Sequence, residues 1–235
     1  MRKEKPGAPT NRIIATLPTT ERNDLRRRCK LAELEPGEVI AEPGQQIRQV
    51  YFPTSASIST IAMVDGQNSL EVSLVGREGM YGIPLALGVS VSSWRATVLC
   101  GGSALRMSAE DFHTMLNISP GLRRVLQRYT HVIVSQIAQV AVCACYHLVE
   151  SRLARWMLMT HDRVSSDTFH VTHELLAEML GVRRAGVSTA AGSLQTREVI
   201  SYTRGKVTVL DRKGLEAAAC DCYAASEKVY ASFLG

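Results

Sequence analysis

Five residues in the C-terminal third of this 235-residue chain have the types and spacing of a nucleic-acid reader: Arg183, Arg184, Ser188, Arg204 and Lys206. Ahead of them lie Thr172, which can cap a helix starting at His173, then Ala177 and, four positions later, Gly181. A steep helix-turn-helix junction needs a small residue where the helices cross, then a residue that accepts positive φ. Leu176, Leu180, Val182, Val187 and Ala190 fall where such a unit buries its inner faces. Arg183, Arg184 and Ser188 then face outward at the start of the second helix, the end that meets base edges in the major groove. Arginine is the commonest donor to guanine O6 and N7. Arg204 and Lys206 sit at the tip of a following hairpin, where a basic wing can lie on phosphates. Together these features predict double-stranded DNA as the partner. The competing reading is a ligand-binding protein whose winged helix makes protein contacts, and the basic tip counts against it.

The second chemistry is sulfur. Of the six cysteines, four form two Cys-x-Cys pairs, Cys143/Cys145 and Cys220/Cys222. Cys143 and His147, at i and i+4, share one face of a helix, a spacing that can ligate a metal. Two ligands are too few unless a second copy adds two more. The pairs are therefore read as packed thiols, Cys143/Cys145 on a dimer seam, with no metal site and no cofactor expected. A redox or metal sensor using Cys143, Cys145 and His147 is the alternative. No GxSxG, HExxH, P-loop or dinucleotide fingerprint occurs, so an enzyme is not expected.

These residues need elements to position them. Pro6, Gly7, Pro9 and Pro18 break residues 1–18 into a flexible arm, and Thr20 can cap a basic helix over 21–30. From Leu34 to Met107, short β-rich runs alternate with Pro36-Gly37, Pro43-Gly44, Asp65-Gly66, Gly76 and Gly101-Gly102. That grammar predicts an antiparallel sandwich or barrel, with Asp65-Gly66 as a hairpin turn. Ser119 and Pro120 then open a long helix. Its apolar stripe, Leu126, Tyr129, Ile133, Ile137, Val140 and Ala144, is read as a helix–helix dimer interface, with a break near 147–151. Beyond it the pattern predicts helices over 150–161, 173–180 and 183–194, strands over 199–202 and 206–210, and a closing helix over 212–227. The expected class is α+β: an arm (1–18), a β domain (19–118), a dimerisation helix (119–149) and a winged helix-turn-helix domain (150–235).

Composition is consistent with that plan. Apolar residues make up 46% and charged residues 21%, which excludes wholesale disorder. The net charge is +5, with basic residues concentrated in 1–30 and 180–213 and an acidic balance over 31–118. A basic patch on a near-neutral domain suits a polyanion. No unbroken apolar run reaches about 18 residues, and no signal-type stretch follows the N-terminus, so a cytoplasmic protein without a membrane partner is expected.

The segment from Thr172 to Val187 resembles the helix-turn-helix of transcription regulators in the superfamily of the catabolite activator protein and the fumarate–nitrate reductase regulator. The resemblance extends over roughly residues 20–215. It implies a jelly-roll sensor domain of the cyclic-nucleotide-binding kind, a long dimerisation helix and a winged helix. It also implies a homodimer on a two-fold symmetric operator, RNA polymerase as a candidate further partner, and a small-molecule effector of unknown identity.

Departures from the family pattern limit the effector. Members that bind cyclic AMP carry Gly-Glu-Leu where this chain reads Gly82-Ile83-Pro84-Leu85, and Arg-Ser where it reads Ser92-Ser93. Arg95 could replace the missing cation only by a loop shift. Ile137-Ala138 stands where those members place Thr-Ser. A desolvated phosphate without a cation is unfavourable. The effector pocket around Gly82, Ile83, Ser92 and Arg95 is therefore read as degenerate, and the signal as something other than cyclic AMP. An N-terminal iron–sulfur cluster is also excluded, because Cys29 stands alone in the first 99 residues. In the recognition helix, Arg184 takes the guanine-reading place, Ala185 replaces a glutamate, and Thr172 and His173 match phosphate-touching places.

Overall fold

The computed structural model describes residues 10–64, 68–164 and 166–234. Residues 1–9, half of the expected arm, and the Asp65-Gly66 turn lie outside them. Two short helices, α1 (Arg12–Ala15) and α2 (Thr19–Arg28), precede seven strands: β1 (Lys30–Leu34), β2 (Val39–Ala41), β3 (Gln49–Pro53), β4 (Ser57–Val64), β5 (Asn68–Val75), β6 (Arg95–Cys100) and β7 (Gly102–Ser108). A one-turn helix, α3 (Ile83–Ala86), lies between β5 and β6. The strands pair antiparallel in two sheets, ordered β1-β7-β3 and β2-β6-β4-β5. Asn68 pairs with Val64, so β4 and β5 form the expected hairpin pairing on either side of the undescribed turn.

Residues 10–18 are docked, contrary to the expected arm. Asn11 caps α1 and donates through Nδ2 to the carbonyls of Pro53 (3.0 Å) and Gly79 (2.7 Å). Ile13, Ile14 and Leu17 are buried in the sensor core. The next helix begins at Thr19 behind Pro18, without a side-chain cap from Thr20.

After α4 (Ala109–Ile118), Ser119 caps the long helix α5 (Pro120–Tyr146) by accepting from the Leu122 amide at 3.1 Å. The helix ends at His147, as expected. Its large apolar face is filled from within this chain. Leu126, Tyr129, Ile133 and Val140 are buried by this chain alone, and Ile137 packs against the same core. The Tyr129 hydroxyl donates to the Met80 carbonyl. Each such side chain contributes roughly 1.5–3 kcal/mol when fully buried, so the buried members of the stripe are core of this chain rather than an open face. A second stripe remains open: Gln127, His131, Val134, Ala138, Ala141 and Cys145 recur at four and three residues and are exposed. Ala144, the last expected seam residue, is half-buried beside it. By length and composition α5 could cross a bilayer, although its apolar residues form no unbroken run. Its buried face packs on β5, α4 and the last helix.

The remaining chain reads α6 (Val149–His161), β8 (Thr168–His170), α7 (His173–Leu180), α8 (Arg184–Thr196), β9 (Ile200–Thr203), β10 (Lys206–Val209), α9 (Arg212–Ala218) and α10 (Cys222–Leu234). β8 was not expected; it pairs with β10 and makes the wing a three-stranded sheet. The expected single closing helix is two helices, and α10 turns back to pack along α5. The core of this half includes Ile61, Leu74 and Leu99 from the sensor sheets, so the two halves share buried surface.

Candidate nucleic-acid interface

Local sequence builds the reader. Thr172 caps α7, its hydroxyl accepting from the Leu175 amide at 3.1 Å. Gly181 ends the helix at φ 61 and ψ 44, a left-handed conformation that a Cβ would strain. The Val182 amide closes the turn onto the Ala177 carbonyl at 3.0 Å. Arg183 is the extended residue preceding α8, so the recognition helix starts one residue later than expected, at Arg184. Val187, Ala190, Ala191 and Leu194 bury its inner face. In the wing, Arg204 (φ 51) and Gly205 (φ 76) are both left-handed between paired Thr203 and Lys206, a two-residue turn of the primed kind.

The wing and the recognition helix are locked together. The Tyr202 amide donates to Gln195 at 2.7 Å, and the Tyr202 hydroxyl donates to the Val171 carbonyl at 2.6 Å. Burial pushes the Tyr202 phenol up to about 12, so it stays a donor. His173 stands edge-on to Tyr202, with ring centroids 4.6 Å apart, and its Nδ1 lies 2.9 Å from the Ser188 hydroxyl. Arg184 Nε lies 2.6 Å from the Glu174 carboxylate, yet the arginine side chain is still 66% exposed.

Thr172, His173, Arg184, Ser188 and Arg204 line one groove of about 330 Å³ between helix and wing. Arg183 lies outside it, bordering the cleft where the α7–α8 turn meets Ser69 and Leu70 of β5. Lys206 is exposed beyond the groove lining. Glu174, Gln195 and Tyr202 were missed. Gln195 continues the helical row Arg184, Ser188, Ala191, which could have revealed it; Glu174 and Tyr202 carry no comparable signal.

The reader is fastened to the sensor. Ser69 Oγ donates to the Glu178 carbonyl at 3.2 Å. Glu71 of β5 is buried and accepts from Ser59 Oγ (2.6 Å) and from Trp156 Nε1 of α6 (3.0 Å). Burial pushes its carboxyl up to about 7 despite those bonds and the nearby Arg155 and Arg163. Arg163 Nε pairs with Glu78 Oε1 at 2.7 Å, both side chains being buried.

Three of the four residues expected around an effector line one cavity. Gly82, Ile83 and Ser92 line a cavity of about 180 Å³, with Met80, Trp94 and Ile133 of α5 among its walls. Gly82 sits at φ 104, and a Cβ there would lie 2.6 Å from Val50. Ser92 donates to the Trp94 carbonyl at 2.7 Å. Arg95 does not reach the cavity; its Nε lies 3.3 Å from Glu42. The lining holds no Lys or Arg.

The cysteines are not packed at random. Cys143 and His147 meet Cys220 and Cys222 of the same chain, while Cys145 points outward. A hydrogen bond shared with Cys220 holds the Cys143 thiol down at about 5 and pushes Cys220 up.

Comparisons agree with this architecture. Residues 151–218 match the Crp-like helix-turn-helix domain. The global nitrogen regulator of Nostoc sp. (strain PCC 7120) is 21% identical over 185 residues, covering 74% of this chain and 82% of that protein. Among solved structures, FixK2 of Bradyrhizobium japonicum superposes with a TM-score of 0.69 at 12% identity, covering 82% of this chain and 98% of that one. A CRP-family transcriptional regulator of Thermus thermophilus superposes with a TM-score of 0.64 at 19% identity, covering 80% and 96%. The c-di-GMP responsive global regulator CLP of Xanthomonas campestris gives 0.63 at 14% identity, covering 82% and 99%. The chain carries a Crp-like helix-turn-helix domain on a Crp/Fnr-type fold.

Proposed function

We propose that this Crp/Fnr-type DNA-binding transcription regulator works as a homodimer that reads a two-fold symmetric operator. The observation that carries the reading is the groove in which Arg184, Ser188, His173 and Arg204 converge from three elements that Tyr202 and Gln195 hold rigid. Arg184 reads a base, most simply guanine, after exchanging Glu174 for the base edge. Arg204, Lys206 and Thr172 hold phosphates, and Arg183, near the sensor hairpin, contacts the backbone. His173 presents its free Nε2 to a phosphate, since Nδ1 is engaged by Ser188.

The second copy docks on the open stripe of α5. Val134, Ala138 and Ala141 are small enough for two helices to approach closely, and the 4–3–4 spacing is that of a coiled-coil seam. The effector differs from cyclic AMP. The sensor cavity is apolar and cation-free along its lining, and its wall includes Ile133, through which occupancy would shift α5. The test is selection of bound sequences from random duplex DNA. It should enrich paired half-sites about 34–36 Å apart or a multiple of that. Failure to enrich any sequence would overturn the reading.

A further inference from the structure

Four soft ligand groups from two distant parts of the chain converge at the junction between the sensor and the reader. Cys143 lies in the last turn of α5, and His147 is the residue that closes that helix. Cys220 and Cys222 flank the turn between α9 and α10. Because α10 folds back along α5, the two pairs meet. Cys143 Sγ lies 3.5 Å from Cys220 Sγ, and Cys222 Sγ lies 3.4 Å from His147 Nδ1. All four ligand atoms lie within 4.8 Å of one another. A tetrahedral zinc ion with Zn–S near 2.3 Å and Zn–N near 2.0 Å needs ligand–ligand edges of about 3.5–3.8 Å. The group is within about 1 Å of that shape.

The surroundings fit a closed structural centre. The three cysteines are buried and His147 is half-buried. Gln139 Nε2 donates to Cys222 Sγ at 2.9 Å, an outer contact that orients a thiolate ligand. Three thiolates, a neutral imidazole and a dication carry a net charge of −1. Arg155, also buried, has an Nε without a hydrogen-bond partner among the described residues, and its charge acts on Cys143. Packed thiols alone would not need the histidine beside them.

We propose that Cys143, His147, Cys220 and Cys222 form a Cys3His site for a zinc-class divalent cation. Thiol protons leave as the metal enters, and His147 binds through Nδ1 as the neutral imidazole. The metal clamps the α9–α10 turn to the end of α5, beside the break at His147 where the sensor helix passes into the reader. Loading therefore stiffens the joint between the two halves. The inference does not rest on DNA reading, and its test is made without DNA.

The test uses the full chain, reduced and stripped with a chelator, and titrated with Co2+ as the probe. One Co2+ per chain should produce the intense visible bands of tetrahedral cobalt with a thiolate charge-transfer band, and Zn2+ should bleach both. Cys222→Ser and His147→Ala should each weaken Co2+ binding by more than about a hundredfold, beyond the cost of losing an outer partner. Cys145→Ser, which alters an exposed thiol outside the cluster, should leave the spectrum unchanged. Absence of the tetrahedral bands in the wild-type chain would overturn the proposal. So would loss of the bands in Cys145→Ser.

Discussion

Replacing Glu71 with glutamine tests how the reader is held on the sensor. Glu71 reaches from β5 to the Trp156 indole of α6, and Ser59 donates to its other oxygen. Its carboxyl is raised from the ordinary 4.5 to about 7 by burial, so the folded state holds the proton more tightly than the unfolded chain does. Stability is then fully present below about pH 4.5, falls as pH rises toward 7, and stays reduced above it. Between 4.5 and about 7, at roughly 1.4 kcal/mol per pH unit, the loss comes to about 3 kcal/mol. Glu71→Gln keeps both hydrogen-bonding positions and removes the charge. At about pH 8.5 the variant should be more stable than wild type by up to that amount, or roughly 6–12 °C in Tm for a chain of this size. At about pH 5 the two should differ by less than about 1 kcal/mol. Thermal and urea denaturation followed by tryptophan fluorescence reads both. A variant that tracks wild type at both pH values, or is the less stable at pH 8.5, would show that Arg155 and Arg163 fully compensate the buried charge.

Three further outcomes follow from the geometry. Val134→Lys with Ala138→Lys should dissociate the proposed dimer in sedimentation while leaving circular dichroism unchanged, whereas Ile133→Lys should unfold the sensor core; an intact dimer in the first variant would move the proposed seam elsewhere. Glu174→Gln should release Arg184 and tighten operator binding by no more than about fivefold, since exposed ion pairs are worth under about 1 kcal/mol; weaker binding in the variant would mean Glu174 positions Arg184 for the base. Calorimetry with millimolar cyclic AMP should be silent, because the cavity lining lacks a cation and Arg95 is held by Glu42; micromolar binding would show that Arg95 changes partner.

The helix-turn-helix was legible because its constraints are local. Ala177, Gly181 and the capping Thr172 lie within ten residues of one another, and each is demanded by one turn of backbone. The long helix was legible as a helix but not in its orientation. Its bulky stripe and its small Val/Ala stripe both signal burial, and only the folded sensor shows that the bulky one is filled from within. β8 was missed because Thr168–His170 is three residues long and exists only through pairing with β10. The cysteine–histidine cluster was half legible: Cys143 and His147 share a turn, but their partners lie more than seventy positions away and arrive only because α10 folds back. The Glu71–Trp156 contact spans 85 positions and leaves no local trace.

In the proposed reading, Arg184 reads sequence while the wing reads only charge. Its most direct measurement is the affinity of wild type, Arg184→Ala and Lys206→Ala for the selected operator and a panel of its single-base variants, at two salt concentrations. Arg184→Ala should lose about 1–3 kcal/mol per half-site and become indifferent at one symmetric base pair. Lys206→Ala should weaken every sequence alike and lower the salt slope by about one for each phosphate left without its lysine. If Arg184→Ala instead lowers affinity evenly across the panel, Arg184 touches phosphate and the base-reading assignment is wrong.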